Sequence, residues 1–455
     1  MTTDPLHNKR LLILGLARQG TSLARFAVGA GATVTLSDLR KAEDLQQPLN
    51  ELADLPHDRL NFVLGEHPLS LLDRCDVLAI SGGVASDSAI VLEAGKRGIP
   101  LTNDSLEFMI RSPAPVIGIT GSAGKTTTTA LVGQMCQKTD RQTWIGGNIG
   151  RPLIADLGEM AADDFVVAEL SSFQLELWGE ISPPIATILN VTPNHLDRHK
   201  TMADYAGAKG NILRHQHAED IAVLSADDEG SRAMQTLVRG RLRLFSKKEK
   251  VSDGAYVSEG SIWISDNSGQ RMLATIDTIR LIGQHNLLNA LAAVTLADSA
   301  GVPDEAILEG LRLFNGVPHR LELVRRLNDV QYFNDSIATS PERVLAALAS
   351  FDEPIILLAG GRDKKMVWDE WARRVAGRVK HVILFGELAH PLAGVLPGKT
   401  RKSVVETLAE GVSIAQSEAV AGDIVLLSPG GTSFDSYSDF VERGEHFRIL
   451  VRDLE

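Results

Sequence analysis

Two cysteines, Cys75 and Cys136, are all that the 455 residues contain. That scarcity excludes a disulfide framework and a cysteine-rich zinc site, and it fits a reducing cytosol. Long apolar runs are missing as well. None approaches the roughly 18 residues that a membrane-spanning helix needs, so no membrane span is expected. The first residues, "MTTDPLHNKRLLILG", lack a long apolar h-region, so secretion is not expected and the cytoplasm is the expected compartment. Positive charge is not in excess either. The formal net charge of -12 argues against non-specific binding to nucleic acid. Anionic ligands must therefore be met by local basic residues and backbone amides. Neither a short-period repeat nor a low-complexity segment is present.

What is present is an ordinary globular balance, 44% apolar and 23% charged. The length is too great for one core and predicts two or three domains. Residues 9–38 read as strand, turn, helix, strand: "RLLILG", "GLARQG", a helical stretch to Gly31, then "TVTLSD". A dinucleotide fingerprint would need glycine at 15, 17 and 20, but the middle position is Ala17. Asp38 lies where such folds contact a ribose hydroxyl. A nicotinamide site and an ordinary βαβ unit both remain open from this pattern. A second strand and turn, "CDVLAISGGVA", ends in Gly82 and Gly83 and points to a ligand edge. Pro113 and Pro115 in "RSPAPVIG" predict an extended linker. A second segment runs to about Gly316 and ends in the helical pattern "QHNLLNALAAVTLADSAG". Beyond it, "QYFND", "PIILLAGG", "HVILFG" and "DIVLLSPGG" predict the strands of a third α/β segment.

The chemistry begins at "VIGITGSAGKTTTTA", residues 116–130. Consecutive backbone N–H groups at a helix N-terminus cradle phosphate, and small residues let the backbone come close. Gly121, Ser122, Ala123, Gly124, Lys125, Thr126 and Thr127 supply the loop, the lysine and a hydroxyl for Mg²⁺. The strict P-loop spacing fails, because its first glycine falls on Ile119. Such a site also needs an acidic metal partner at a neighbouring strand end, and Glu169 after Phe165–Ala168 qualifies. A further strand, "IATILNVTPNHLDRH", ends in His195, Asp197 and His199. The two histidines stand four apart, the spacing of helical zinc ligands, so a zinc hydrolase competes. Against it, H-E-x-x-H is missing. Lys209 in "YAGAKGN" reads by default as an exposed helical lysine. A guanine-reading N-K-x-D is absent, which argues against a regulatory GTPase.

Taken in order, "GSAGKTTTT", "GGNIG", "ELSSFQLE", "NVTPNHLDRH", "GQHNLLNALAA", "GVPHRLE" and "NDSIATS" resemble the Mur ligases of peptidoglycan synthesis. The resemblance covers nearly the whole chain, including "LLSPGGTSFDSYSDFVERGEHF". It implies an α/β fold of three domains. These are a Rossmann-like UDP-substrate domain over 1–103, a central P-loop ATPase-like domain with a mostly parallel sheet over 104–316, and a Rossmann-like glutamate domain over 317–455. It implies an ATP-dependent acid–amino-acid ligase that adds D-glutamate to UDP-N-acetylmuramoyl-L-alanine through an acyl phosphate. The alternatives are the same ligation with L-glutamate, or another glutamate-joining ligase such as folylpolyglutamate synthetase.

Site residues follow from the resemblance by matched position. Lys125 would neutralise the transferring phosphoryl group. Gly121, Ser122, Ala123, Gly124, Thr126, Thr127 and Thr128, with Asn286, Asn289, Arg320 and Asp335, would hold ATP. Two Mg²⁺ sites are implied: Thr126 and Glu169 at one, His195 and a carbamylated Lys209 at the other. Arg18, Gln19, Asp38, Gly83, Asn148 and His195 would hold the UDP substrate. Thr339, Lys364, Ser433, Phe434 and Phe440 would hold glutamate, the lysine selecting an acidic side chain. The expected partners are these small molecules alone, bound by a monomer. The chain departs from the family pattern at Ile337, where lysine is familiar, at Ser340 and Ala123, where asparagine is, and at Gly82, where proline is. The change at Ile337 leaves the stereochemistry of the glutamate open.

Overall fold

Four buried apolar residues in a row let strand β1 (Arg10–Leu14) sit in mid-sheet, with neighbours on both edges. The computed structural model describes residues 3–193, 198–281, 283–364 and 366–455. In the first sheet β1 is joined by β2 (Thr33–Asp38), β3 (Leu60–Leu64), β4 (Val77–Ile80) and β5 (Leu101–Thr102). The order is β3-β2-β1-β4-β5, all parallel. Strand order reverses at β1, which places a ligand crevice at the carboxyl ends of β1, β2 and β4. The turn after β1 needs its glycines. Gly15 has φ +96°, and a Cβ on Gly20 would lie 2.0 Å from the Gly15 carbonyl oxygen.

The second sheet contains β6 (Val116–Thr120), β7 (Thr143–Gly147), β8 (Phe165–Glu169), β9 (Ile185–Ile188), β10 (Ile221–Ser225), β11 (Arg241–Ser246), β12 (Gly254–Ser258), β13 (Ser261–Asp266) and β14 (Gly269–Thr275). Its order among the described residues is β14-β13-β12-β11-β10-β9-β6-β8-β7. It is parallel from β7 to β12, and β13 and β14 add antiparallel strands at one edge. The expected mostly parallel central sheet is thus present. The first two sheets share one apolar core, in which Leu23 and Ala27 of helix Arg18–Gly29 join Phe108, Leu153, Ile154 and Trp178. That shared core explains why they form a single compact unit, Met1–Ile279 with His285–Leu313.

The second unit comprises Arg280–Gln284 and Phe314–Glu455. Its strands are β15 (Glu322–Leu327), β16 (Val330–Asn334), β17 (Ile355–Gly360), β18 (Val379–Phe385), β19 (Lys402–Val404) and β20 (Ile424–Gly430), in the order β15-β16-β20-β17-β18-β19. β15 and β16 form an antiparallel hairpin through Asn328 and Asp329, both at positive φ, as a two-residue turn of matching twist requires. The other pairings are parallel. Every residue of β17 and β20 is buried, with one apolar layer around Trp371 and Val375 and another around Phe447 and Val451. Each fully buried aliphatic side chain there contributes about 1.5–3 kcal/mol.

Candidate active site

β6 runs straight into the glycine loop and then into helix Lys125–Cys136. Gly121 (φ +158°) and Gly124 (φ +84°) make the loop, and Gly124 caps the helix in the left-handed conformation. A Cβ on Gly124 would fall 2.3 Å from Asn289 Oδ1, so glycine there is enforced by packing as well as by φ. Asn190 clamps the loop: its Oδ1 accepts the Ala123 N–H at 2.8 Å and its Nδ2 donates to the Ala123 carbonyl at 3.1 Å. Ser122 is held equally firmly. Its hydroxyl donates to the Thr192 carbonyl at 2.9 Å, and Tyr205 donates to its Oγ at 3.1 Å. A loop fixed in this way presents N–H groups and a helix dipole to an anion without first having to order itself.

Lys125 Nζ folds back onto the Gly121 carbonyl at 2.8 Å and the Ser122 carbonyl at 3.4 Å. Of the threonines that follow, Thr126 is half-buried, Thr127 is buried, and Thr128 is wholly buried. β8 lies beside β6 with Glu169 in register with Ile119, so its carboxylate ends next to the loop. Glu169 is 1% exposed; its Oε1 accepts from Asn148 Nδ2 at 2.9 Å. Its Oε2 is buried with no hydrogen-bond partner among the described residues. An orphaned carboxylate oxygen beside a phosphate loop suits a hard cation such as Mg²⁺.

Lys209 overturns its default reading. It is 1% exposed, not a solvated helical lysine. Helix Met202–Arg214 buries Tyr205, Ala208, Lys209, Ile212 and Leu213, an i, i+3, i+4, i+7, i+8 stripe that includes the lysine. Its Nζ donates to the Gly121 carbonyl at 3.0 Å and to Thr120 Oγ1 at 3.4 Å, over the Tyr205 ring. Burial, reinforced by the Lys125 charge and opposed by Glu169, pushes its ammonium down to about 7. The zinc reading loses its support on His199, which lies in no helix. Its Nδ1 faces Glu176 Oε1 at 3.0 Å and its Nε2 pairs with Ser172 Oγ at 2.9 Å, which occupies both ring nitrogens. Among the described residues no group of three His, Cys, Asp or Glu stands ready for a metal. His195 lies outside the described residues, as does Asp197.

Arg18, Gln19, Asp38 and Gly83 lie at or just beyond the carboxyl ends of β1, β2 and β4. Asp38 accepts the Leu16 N–H at 2.7 Å and a fork from Arg40, Nη2 at 2.8 Å and Nε at 3.0 Å. Burial works to raise the Asp38 carboxyl, but these bonds outweigh it and hold it at about 2. Arg18 reaches the Gly150 carbonyl at 2.7 Å, and the Gly82 N–H reaches Gln19 Oε1 at 3.4 Å. Asn148, expected at the substrate, donates to Glu169 Oε1 at 2.9 Å. Asn289 donates to Asn286 Oδ1 at 3.0 Å and abuts Gly124 of the phosphate loop.

In the second unit Asp335, Thr339, Lys364, Ser433 and Phe440 follow the adjacent strands β16, β17 and β20. Asp335 accepts from Ser428 Oγ at 2.8 Å and from the Leu321 N–H at 3.2 Å. Burial pushes its carboxyl up to about 7 against those bonds and the charges of Arg320 and Arg343. Ser433 is buried, whereas Arg320, Lys364 and Phe434 are exposed. Half-buried Ile337 donates its N–H to the His319 carbonyl at 3.1 Å.

Three domain families match in series: the Mur ligase MurD-like N-terminal domain over residues 9–103, the Mur ligase middle domain over 119–297, and the Mur ligase glutamate ligase domain over 319–431. The chain belongs to the Mur ligases. It is 38% identical over 449 residues to the UDP-N-acetylmuramoylalanine--D-glutamate ligase of Pelotomaculum thermopropionicum, covering 98% of each chain. It is 40% identical to the enzyme of the same name from Symbiobacterium thermophilum, again over 98% of both. Solved structures agree on the three-domain α/β fold. MurF from Acinetobacter baumannii aligns with TM-score 0.56 at 18% identity over 98% of this chain and 93% of its own. MurC from Thermotoga maritima aligns with TM-score 0.55 at 19% identity over 98% and 99%.

Several residues of this Mur ligase escaped the sequence reading. Arg443 is wholly buried, and its guanidinium donates to Ser336 Oγ (3.0 Å), the Ser336 carbonyl (2.9 Å) and the Gly431 carbonyl (3.2 Å). It thereby ties the loop after β16 to the loop after β20. Its signal is periodic: 443, 447 and 451 form the buried stripe of helix Phe440–Arg452. Asn190, the clamp of the phosphate loop, is five residues before His195 in the same segment. Arg40 follows Asp38 by two residues, a spacing with no motif of its own.

Proposed function

We propose that this Mur ligase joins D-glutamate to UDP-N-acetylmuramoyl-L-alanine at the expense of ATP; the names of its relatives state the two substrates joined, UDP-N-acetylmuramoylalanine and D-glutamate, for them. The convergence of Lys125, Glu169 and Lys209 on one glycine loop carries the reading. A carboxylate is a poor electrophile. Transfer of the γ-phosphoryl group of ATP to the alanyl carboxylate gives an acyl phosphate. The amine of glutamate attacks it, and phosphate leaves from the tetrahedral intermediate. Lys125 and the loop N–H groups offset the charge that develops on the transferring group. Mg²⁺ would supply further charge neutralisation, held by Thr126 and Glu169 at one position and by His195 and carbamylated Lys209 at another.

Carbamylation needs a neutral amine. A lysine held near 7 is largely free base at slightly alkaline pH, so its nitrogen can form the N–C bond to CO₂ and release a proton. The product is an oxygen-donor anion facing Lys125. In the same reading residues 1–103 hold the UDP moiety through Arg18, Gln19, Asp38 and Gly83, while Asn148 reaches the sugar-alanyl part. Residues 104–316 hold ATP, and residues 317–455 hold glutamate with Thr339, Lys364, Ser433, Phe434 and Phe440. The enzyme acts as a cytoplasmic monomer.

The test is phosphate release with UDP-N-acetylmuramoyl-L-alanine, ATP and Mg²⁺, adding D- or L-glutamate. D-glutamate is expected to support turnover. With one carboxylate of the amino acid held by Lys364, inversion at the α-carbon leaves the other unpaired. Losing one charge-assisted hydrogen bond costs about 1.5–3 kcal/mol, a discrimination of about one to two decades. Preference for L-glutamate would overturn the stereochemistry alone. Release with only a folate acceptor would overturn the substrate assignment.

A further inference from the structure

Arg198 joins two places that the proposed reaction must keep in register. Its Nη2 donates to the Val84 carbonyl at 2.8 Å, in the loop that carries Gly82 and Gly83 at the end of β4. Its guanidinium also lies over the Phe173 ring, 4.4 Å from the centroid. Phe173 belongs to the short helix Ser172–Leu175, which begins three residues after Glu169 and is locked by a capping box between Ser171 and Gln174. The neighbouring His199 fastens to that helix too, through Ser172, through Glu176 and by parallel stacking on Phe173 at 5.3 Å. One end of the Arg198 bridge is therefore anchored firmly. The other end is a loop with two glycines, where the Gly82 N–H makes only a long 3.4 Å contact to Gln19 Oε1, while Val84 packs on the apolar cluster around Leu14 and Ile80 and its N–H donates to the Ser81 carbonyl at 2.9 Å.

From this geometry we infer that Arg198 is a positioning residue for the UDP substrate, holding loop 82–85 against the segment that carries Glu169. The inference rests on the proposed function and names a residue which that reading does not use. A glycine-rich loop left to itself must be ordered by the ligand, and that ordering cost appears as lost affinity. Arg198 orders the loop beforehand. The planar guanidinium suits the task, since it stacks on an aromatic face while donating to a carbonyl. A lysine can keep the hydrogen bond but not the planar stack.

The experiment compares wild type, Arg198→Ala, Arg198→Lys and Phe173→Leu. Each is titrated calorimetrically with UDP-N-acetylmuramoyl-L-alanine and separately with ATP, with KM, kcat and Tm measured alongside. Arg198→Ala is expected to weaken the nucleotide-sugar on the order of tenfold, the scale of one hydrogen bond from a charged donor, with ATP affinity within about twofold of wild type. Arg198→Lys should recover part of that loss. Phe173→Leu, which keeps the arginine and removes its platform, should shift the same KM in the same direction. Equal weakening of both ligands, or no change in either, overturns the inference. Wild type that binds the nucleotide-sugar while Arg198→Ala binds it equally well rejects the positioning role alone. Wild type that binds none rejects the proposed substrate and the inference with it.

Discussion

The phosphate loop of the first unit and the residue cluster of the second solve opposite problems. At the phosphate loop the groups proposed to act are themselves withdrawn from water: Lys209 and Glu169 are each 1% exposed. In the second unit two buried ionisable groups, Asp335 and Arg443, fasten loop segments through Ser428, Leu321, Ser336 and Gly431. The side chains proposed to select glutamate, Lys364 and Phe434, stay exposed. Transfer chemistry gains from fixed dipoles in a dry setting, because nothing need reorganise as charge develops. Selection of a small amino acid needs groups the ligand can reach, so there the rigidity is placed one layer behind them.

The largest break in that contrast comes from Lys125→Ala. It removes charge from the transferring group and is expected to lower turnover by about two decades or more, measured by phosphate release. Turnover within a few-fold of wild type would mean that the loop is not the transfer site. Lys209→Ala should also lose most activity. Short-chain carboxylic acids should restore part of it by returning an oxygen ligand, whereas full activity without them would remove the carbamate from the scheme.

The two regions should also differ in the sign of their pH dependence. Lys209 falls from an ordinary 10.5 to about 7 on burial, so the unfolded chain binds its proton more tightly. Stability from this group rises between about pH 7 and 10.5, and in CO₂-free buffer Lys209→Met should flatten that rise. Asp335 moves the other way, from 3.8 to about 7. Its contribution is complete below the lower value and is lost as pH climbs to the upper one. Asp335→Asn should flatten denaturant midpoints over that range. Matching slopes in wild type and variant would show that neither group is coupled to folding. The smallest effect belongs to the exposed pair Arg362 and Glu387, 2.7 Å apart. Arg362→Ala should leave Tm within about 2 °C of wild type, as screened surface pairs do.

Local pattern carried much of this molecule. Apolar runs marked β1, β6, β8, β17 and β20, and glycines with a lysine at their end marked the phosphate loop, because backbone sterics and helix capping act within a few residues. Glu169 was legible as a strand end for the same reason. The tertiary structure decided the rest. Strand order β9-β6-β8 sets Asn190 and Glu169 on either side of the loop, and no local spacing records which strands become neighbours. Burial of Lys209 and Arg443 is a property of the elements packed over them. A charged residue on an apolar stripe reads as solvated until its surroundings exist. The chain itself therefore determines which segments can bind phosphate or end a strand. Only folding determines which charges leave water, since desolvation depends on atoms distant in sequence.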